Sequence, residues 1–184
     1  MVLTSSKIIP LGFEAPHFNL YNPHLDKYQS LNELKSNTAT VIVFMCNHCP
    51  YVVHILNSLV QISNIYIKKS VAFIAINSND ISAYPDDSPE KMIDLVKNYG
   101  IRFPYLFDES QSTAKLYNAA CTPDFNIFNK ELKCVYRGQY DDSRPGKKNK
   151  PNGNDITSIL ELILKNKQIP KLSKPSIGCN IKWK

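Results

Sequence analysis

One stretch of the chain indicates both its fold and its chemistry: Val41-Ile42-Val43-Phe44-Met45-Cys46-Asn47-His48-Cys49-Pro50. The apolar residues that open it predict a strand buried on both faces. Pro50 is typical of the first turn of a helix, where the missing N–H has no acceptor in any case. The two cysteines therefore lie where a central strand turns into a helix, which we expect to begin around Cys46 or Asn47.

The start of this helix predicts the reactivity of the thiols. Apolar residues recur three and four positions apart after Pro50, as in a helix with one buried stripe: Val52, Val53, Leu56, Leu59 and Val60. The unpaired N–H groups and partial positive charge at a helix N-terminus favour thiolate over thiol. We expect Cys46 at the exposed edge with a lowered pKa, and Cys49 one turn beneath it. A protonated His48 between them would lower the pKa of Cys46 further and make the dithiol oxidising.

Other uses of a Cys-x-x-Cys motif are less well supported by this chain. Half of a zinc site needs two more ligands at matching spacing, and the remaining cysteines form no second pair: Cys121, Cys134 and Cys179. Haem attachment needs a histidine where the chain has Pro50. Redox chemistry is favoured, with a metal site that uses His48 or His54 and inert core thiols as the alternatives. No metal and no cofactor is expected.

Length and composition favour one globular domain. The chain has 184 residues, of which 43% are hydrophobic and 21% charged, enough for a core. No segment approaches the ~20 apolar residues of a membrane span, and the first residues lack the apolar stretch of a signal peptide. Five cysteines, an odd number, argue against a secreted disulfide framework, so we expect a cytoplasmic protein without a membrane partner.

The positive charge does not indicate a nucleic-acid partner. The net charge is +6 and arises from lysines scattered late in the chain. The short cluster of Lys147, Lys148 and Lys150 has no interleaved aromatic residues, so it is typical of a solvated loop.

Strands and helices alternate along the chain, which is typical of α/β proteins. The pattern predicts strands at 18–20, 27–31, 40–45, 71–77, 105–107, 125–128 and 133–138. It predicts helices from Pro50, from Pro89 with Ser88 as N-cap to Gly100, over 110–119, and over 155–165. The segment after residue 166 contains Pro170 and Pro175 and shows no period. We expect one domain over 1–166 and an extended tail over 167–184 that packs on it.

Several motifs resemble the thioredoxin fold and its peroxiredoxin-like branch. The dithiol after a central strand, followed by a helix, a strand and Thr122-Pro123 just before another strand, resembles thioredoxin. The opening 12–20 is similar to the alkyl hydroperoxide reductase and thiol-specific antioxidant branch. Longer stretches resemble a peroxiredoxin-like subgroup of poorly defined activity: 46–52, 77–80, 84–90, 137–145 and 174–183.

The resemblance implies an α/β thioredoxin-like fold. Its central mixed β-sheet would be flanked by helices, with an N-terminal β-hairpin extension and an extended C-terminal tail. It implies a thiol–disulfide oxidoreductase in which Cys46 attacks and Cys49 resolves, while Thr122 and a cis Pro123 hold the substrate backbone. The partners would be a protein or low-molecular-weight disulfide and a thiol electron donor. A thiol-dependent hydroperoxide reductase and a non-catalytic metal-binding or ligand-binding module are the alternatives.

The chain departs from both relatives around the dithiol. Peroxidases of this branch carry Pro-x-x-x-Thr-x-x-Cys, where this chain has Ala39 and Val43, and an arginine where it has Thr122. Thioredoxin has a tryptophan at the position of Met45 and a buried aspartate at that of Thr40. Since that carboxylate is missing, the sequence identifies no acceptor for the proton of the second cysteine.

Two further cysteines are candidates for redox chemistry. Cys121 lies two residues before Pro123 and should be near the dithiol. Cys179 follows Gly178, so a tight turn in the tail could return it to the dithiol. Each is either an additional redox cysteine, the two pairing with each other, or a buried residue with no redox role. Cys134, on the predicted hairpin, is interpreted as a core residue.

Each of two polar segments is interpreted either as part of a functional site or as purely structural. Tyr84, Asp86 and Asp87 follow a central strand on its carboxyl side, where α/β proteins bind ligands. Entry into the next helix and its capping is the favoured role. The loop 141–145 either binds substrate over the dithiol or is a turn held by its own hydrogen bonds.

Overall fold

The computed structural model describes residues 3–7 and 9–184. Its strands are β1 Leu3–Ser5, β2 Asn19–Asn22, β3 Lys27–Ser30, β4 Ala39–Phe44, β5 Val71–Asn77, β6 Tyr105–Phe107, β7 Cys121–Thr122, β8 Asp124–Asn129, β9 Cys134–Gly138 and β10 Ile177–Asn180. Its helices are α1 Leu31–Leu34, α2 Pro50–Ile67, α3 Pro89–Tyr99, α4 Ser112–Leu116 and α5 Asn154–Leu164. The expectation about a signal peptide also involves Met1, Val2 and Ile8, which lie outside the described residues.

A mixed sheet of seven strands forms the centre of the molecule, in the order β3-β2-β6-β5-β4-β8-β9. β4 pairs with β5 in parallel and with β8 in antiparallel orientation. A smaller sheet has the order β1-β10-β7. The expected thioredoxin-like fold with a central mixed sheet flanked by helices is confirmed, and β2 and β3 form the expected N-terminal hairpin.

Strand β4 is buried along its whole length because it separates two apolar layers. Successive side chains of a strand point to opposite faces. Val41 and Val43 face the layer that contains α2, whereas Ile42 and Phe44 face the layer that contains Leu31 and Tyr117. Burial of each large aliphatic side chain stabilises the fold by roughly 1.5–3 kcal/mol. The site that follows β4 is therefore mounted on a rigid central element.

Helix α2 begins later than the sequence predicts. Pro50 is its first residue and Cys49 is its N-cap, whose carbonyl accepts the N–H groups of Val52 and Val53 at 2.9 and 3.0 Å. Residues 47 and 48 stay outside the helix because the Asp87 carboxylate accepts both of their N–H groups, at 2.8 and 3.4 Å. The expected start at Cys46 or Asn47 is therefore wrong.

The other helices follow their capping residues. Ser88 caps α3 by accepting the N–H of Lys91, and Gly100 ends it in a left-handed conformation, as predicted. Helix α4 is shorter than the expected 110–119, since the Asp108 carboxylate accepts the first free N–H groups at Thr113 and Ala114. The short helix α1 was not expected; Ser30 and Glu33 form a capping box at its start.

The C-terminal segment contains a strand in the middle of a sheet. β10 pairs with β1 through Leu3 and Cys179, and with β7 through Cys179 and Thr122. Within the described ranges, no helix is both long and apolar enough to cross a membrane.

Candidate active site

The two cysteines of the motif lie directly beyond the carboxyl end of β4, and both are buried. Cys46 is 1% exposed and Cys49 is 0% exposed. The expectation that Cys46 lies at an exposed edge is therefore wrong. The loop around Pro123 and strand β10 cover this end of the sheet, and neither cover could be located from local sequence.

Three sulfur atoms and one threonine form the centre of the site. The Cys49 Sγ lies 3.0 Å from the Cys179 Sγ and 3.1 Å from the Thr122 carbonyl oxygen. The Cys46 Sγ lies 3.5 Å from the Thr122 hydroxyl. All of these cysteines are free thiols in the structure. The site is therefore a cluster of three thiols rather than an isolated pair.

The pKa of Cys46 is raised, whereas the sequence predicts it to be lowered, and it is the pKa of Cys49 that is lowered. The hydrogen bond to Cys49, burial and the negative charge of Asp87 raise the pKa of the Cys46 thiol well above its usual value. The hydrogen bonds from Cys46 and Cys179 lower the pKa of the Cys49 thiol to about 5. Cys49 is the residue at the N-terminus of α2, where partial positive charge favours a thiolate. The physical argument from the helix end therefore applies to Cys49.

Asp87 is the buried residue that positions the loop of the motif. One carboxylate oxygen accepts the N–H of Asn47 at 2.8 Å, and the other accepts the side-chain amide of Asn79 at 2.7 Å. The His48 Nδ1 lies 2.7 Å from that second oxygen. Asp87 is thus more than the helix-entry residue that the sequence favoured. The sequence could not show which of the two neighbouring aspartates, Asp86 or Asp87, is buried against the loop.

His48 contacts Asp87 and Tyr84. Its ring is stacked on Tyr84, with the ring centroids 5.5 Å apart and the planes 8° from parallel. The side chain of Lys182, from the C-terminal segment, lies over the same Tyr84 ring, with its Nζ 5.5 Å from the ring centroid. The expected donation from His48 to the Cys46 thiolate is replaced by this contact with a carboxylate. A pocket of about 280 Å³ opens here, lined by His48, Ala83, Tyr84, Pro85, Asp86 and Lys182.

The residues that could hold a metal ion are Cys46, His48 and Asp87. Their ligand atoms all lie within 4.8 Å of one another. A tetrahedral site would need a fourth ligand. Both oxygens of Asp87 already accept N–H groups from Asn47 and Asn79. These bonds use part of the lone-pair capacity of the carboxylate, and the group supplies three ligands rather than four, so the contacts favour a thiol site.

The loop around Pro123 faces the thiols. The Thr122–Pro123 peptide bond is cis. β7, which ends at Thr122, is paired with β10, so the strand edge that the resemblance assigns to a substrate is occupied by the chain itself. Gly178 permits this approach, since a Cβ there would lie 1.9 Å from the Thr122 carbonyl oxygen.

The remaining candidates lie outside the thiol contacts. Cys121 is buried, its Sγ faces the carbonyls of Pro123 and Ser176 at 3.9 and 4.0 Å, and burial raises its pKa. Cys134 is also buried, as expected of a core residue. The Asp141 carboxylate accepts N–H groups from Ser143, Asn152 and Gly153. The loop 141–145 is therefore a turn held by hydrogen bonds within the loop and to residues 152–153, and its binding of a substrate stays a prediction.

Comparisons with known proteins identify relatives of the whole chain. The family described as Redoxin matches residues 10–155. An uncharacterized conserved protein from Geobacillus kaustophilus is 50% identical, with a TM-score of 0.98 and coverage of 100% of this chain and 97% of that one. A hypothetical protein from Sinorhizobium meliloti 1021 is 42% identical, with a TM-score of 0.95 and 98% coverage of both chains.

A more distant structure shares the fold alone. A thiol:disulfide interchange protein of the thioredoxin family from Chlorobium tepidum TLS is 16% identical, with a TM-score of 0.63. The match covers 86% of this chain and 99% of that chain. The comparison with curated proteins found no match.

Proposed function

Because the chain belongs to the redoxin family, we propose that it is a thiol–disulfide oxidoreductase that uses the dithiol of Cys46 and Cys49. The observation that carries the proposal is the pair of buried thiols beyond the end of β4, in which Cys49, at the N-terminus of α2, has its pKa lowered to about 5. A dithiol that holds one proton and one negative charge near neutral pH is ready to attack a disulfide. Five free cysteines are consistent with a reducing compartment such as the cytoplasm.

In this mechanism Cys46 attacks first. Its proton passes to the Cys49 thiolate, and the Cys46 thiolate attacks one sulfur of the substrate disulfide. A mixed disulfide forms and the other substrate sulfur leaves as a thiolate. That thiolate takes the proton from Cys49, and Cys49 then attacks the Cys46 sulfur, which releases the second half of the substrate as a thiolate. In this mechanism the leaving thiolate of the substrate is therefore the acceptor for the proton of Cys49, which the sequence could not identify.

Thr122, Asp87 and His48 support this exchange. The Thr122 hydroxyl, 3.5 Å from the Cys46 Sγ, can donate to the thiolate as it forms, and this contact lowers the pKa of Cys46. Asp87 holds the turn at Asn47 and His48. These residues orient the nucleophile, whereas the cis Pro123 loop forms the wall opposite the thiols.

The substrate class is a low-molecular-weight disulfide. A protein substrate would pair its backbone with the edge of β7, and that edge is occupied by β10. The pocket beside His48, lined by both Lys182 and Asp86, offers space for a polar group of a small molecule. A thiol donor of similar size would then reduce the Cys46–Cys49 disulfide and close the cycle.

Reduction of glutathione disulfide and of insulin, with dithiothreitol as donor, tests the proposal. We expect faster turnover of glutathione disulfide than of insulin, and loss of both activities in Cys46→Ser. The matched control is Cys134→Ser, which removes another buried thiol in a different part of the fold and should keep activity. Retained activity in Cys46→Ser would contradict the mechanism.

Hydroperoxide reduction is the second candidate, favoured by the burial of both sulfurs, because a peroxide is smaller than a disulfide substrate and reaches Cys46 through a smaller opening. The Cys46 thiolate would attack the peroxide and break its O–O bond, giving a sulfenic acid and an alcohol or water. Cys49 would then form the disulfide and release water. Peroxide-dependent oxidation of Cys46 that is faster than that of free cysteine would support this activity. An equal or slower rate would exclude it.

A further inference from the structure

The third thiol of the cluster has no role in the exchange described above. Cys179 is 2% exposed, and its sulfur lies 3.0 Å from the Cys49 Sγ, about 1 Å beyond the length of a disulfide bond. We propose that Cys179 is a third redox thiol, which takes over the disulfide from Cys46 by forming a bond to Cys49. This inference rests on the proposed function, because substrate reduction generates the Cys46–Cys49 disulfide that starts the transfer.

Cys179 is held beside Cys49 by contacts along the whole C-terminal segment. Gly178 lies against the Thr122 carbonyl, where a side chain would not fit. On one side, Ser176 donates to the Gly138 carbonyl at 2.6 Å. On the other side, the Ile181 N–H donates to the Ala120 carbonyl at 3.1 Å. These contacts on both sides hold the segment in the site and place its thiol beside Cys49.

Asn79 connects this segment to the loop of the motif. Its side-chain oxygen accepts the N–H of Lys182 at 2.9 Å, while its amide donates to Asp87 at 2.7 Å. Asp87 in turn holds the N–H of Asn47. One hydrogen-bonded path thus fixes the positions of Cys46 and Cys179 on either side of Cys49.

The charges around Cys179 change when Cys49 is oxidised. In the reduced protein, burial and the hydrogen bond with Cys49 raise the pKa of Cys179 to about 12, whereas the cation of Lys182 lowers it. A Cys46–Cys49 disulfide removes the negative charge from Cys49, so the raising contribution of that thiolate is lost. Cys179 can then ionise beside Lys182, next to the sulfur that it attacks.

The transfer is balanced without an external oxidant. The Cys179 thiolate attacks the Cys49 sulfur, the Cys49–Cys179 bond forms, and the Cys46–Cys49 bond breaks with Cys46 as the leaving thiolate. The proton that left Cys179 ends on Cys46, whose pKa is still raised by burial and by the charge of Asp87. The protein remains oxidised by two electrons, and Cys46 is again a free thiol.

Disulfide mapping of the full chain tests this step. Reduced protein is mixed with glutathione disulfide, quenched in acid at successive times, alkylated with N-ethylmaleimide in denaturant and digested with trypsin. The sequence then yields fragment 36–68 with Cys46 and Cys49, and fragment 172–182 with Cys179. We expect a disulfide within 36–68 first. It should then be replaced by a cross-link between the two fragments in which Cys46 carries the maleimide.

Variants assign the sulfur that forms the cross-link. With diamide as oxidant, Cys46→Ser should give as much cross-link between the two fragments as wild type. Cys49→Ser should lower the yield of the cross-link by about tenfold. A shift of about 30 mV in a two-electron reduction potential produces a change of this size. Cys134→Ser is the matched control and should behave as wild type. A disulfide confined to fragment 36–68, with Cys179 fully alkylated in wild type, would overturn the proposal.

The same experiments separate this inference from the proposed function. If the protein does not reduce disulfides but Cys46→Ser forms the Cys49–Cys179 bond, the function is wrong and the pairing of Cys179 stands. If wild type reduces glutathione disulfide and the cross-link never forms, the function stands and the role of Cys179 is wrong.

Discussion

At the scale of single residues, the site depends on one buried carboxylate. Asp87 is 0% exposed, and burial of a charged group costs several kcal/mol unless it is paired and hydrogen-bonded. Here it accepts N–H groups from Asn47 and Asn79 and contacts His48. Asp87 therefore fixes the turn between the two cysteines and places a negative charge near Cys46.

Replacement of that charge should make Cys46 more acidic. Asp87→Asn keeps an oxygen that can accept the N–H of Asn47 but removes the charge that raises the pKa of Cys46. We expect the pH midpoint of Cys46 alkylation by iodoacetamide, followed by mass spectrometry, to fall by about one pH unit. The matched control is Asp86→Asn, since Asp86 is exposed. An unchanged midpoint in Asp87→Asn would show that the charge of Asp87 does not act on the thiol.

The same residues show how far sequence predicts a thiol site. The motif, its position after a buried strand and the effect of a helix N-terminus were all readable from residues 41–50. The sequence did not show which thiol has its pKa lowered by the helix N-terminus, because the start of α2 is set by Asp87, 40 residues away from Asn47. Local sequence could not show that bond, so the lowered pKa was assigned to Cys46 instead of Cys49.

At the scale of elements, the pairing of β10 with β7 defines the shape of the site. A strand edge that other thioredoxin-like proteins would present to a substrate is filled here by residues of the same chain. The close approach depends on Gly178, which has no side chain to meet the Thr122 carbonyl. Strand β10 therefore both covers the site and contains its third thiol, Cys179.

A methyl group at Gly178 should separate β10 from β7. In Gly178→Ala the Cβ would lie 1.9 Å from the Thr122 oxygen, so the strand must shift. We expect Cys179 in the native protein to react with N-ethylmaleimide at least about tenfold faster, since local opening that is easier by about 1.4 kcal/mol has this effect.

Gly146→Ala controls for the general cost of the substitution. Its added Cβ would meet nothing within 4 Å, although its φ of +77° strains an alanine. Equal reactivity of Cys179 in the two variants would mean that the contact with Thr122 does not hold β10 in place.

Elements with a strong local signal were predictable, and those made by distant pairing were not. β4 and β5 are apolar runs buried on both faces, and α3 has Ser88 and Gly100 at its ends. β1 and β10 are only three and four residues long, too short for their own residues to identify them as strands. They become strands because they pair with each other and with β7, across most of the length of the chain.

At the scale of the whole molecule, the ionised thiol couples folding to pH. Stability rises with pH wherever the unfolded chain binds more protons than the folded one. An unfolded cysteine has a pKa of about 8.5, whereas that of Cys49 in the folded protein is about 5. Between these values the unfolded chain holds a proton on Cys49 that the folded protein lacks. The contribution of Cys49 is therefore fully present above the unfolded pKa and is lost as the pH falls towards 5.

Urea unfolding of the reduced protein should reveal this coupling when wild type is compared with Cys49→Ser. The difference in unfolding free energy should grow with pH by roughly 1.4 kcal/mol per unit between about 6 and 8, the value for one proton. Cys134→Ser should parallel wild type, because burial raises the folded pKa of Cys134 to about 11, so this thiol stays protonated in both states there. If Cys49→Ser also parallels wild type, the folded protein does not hold a thiolate at Cys49, and the charge that prepares the dithiol for attack must lie elsewhere in the cluster.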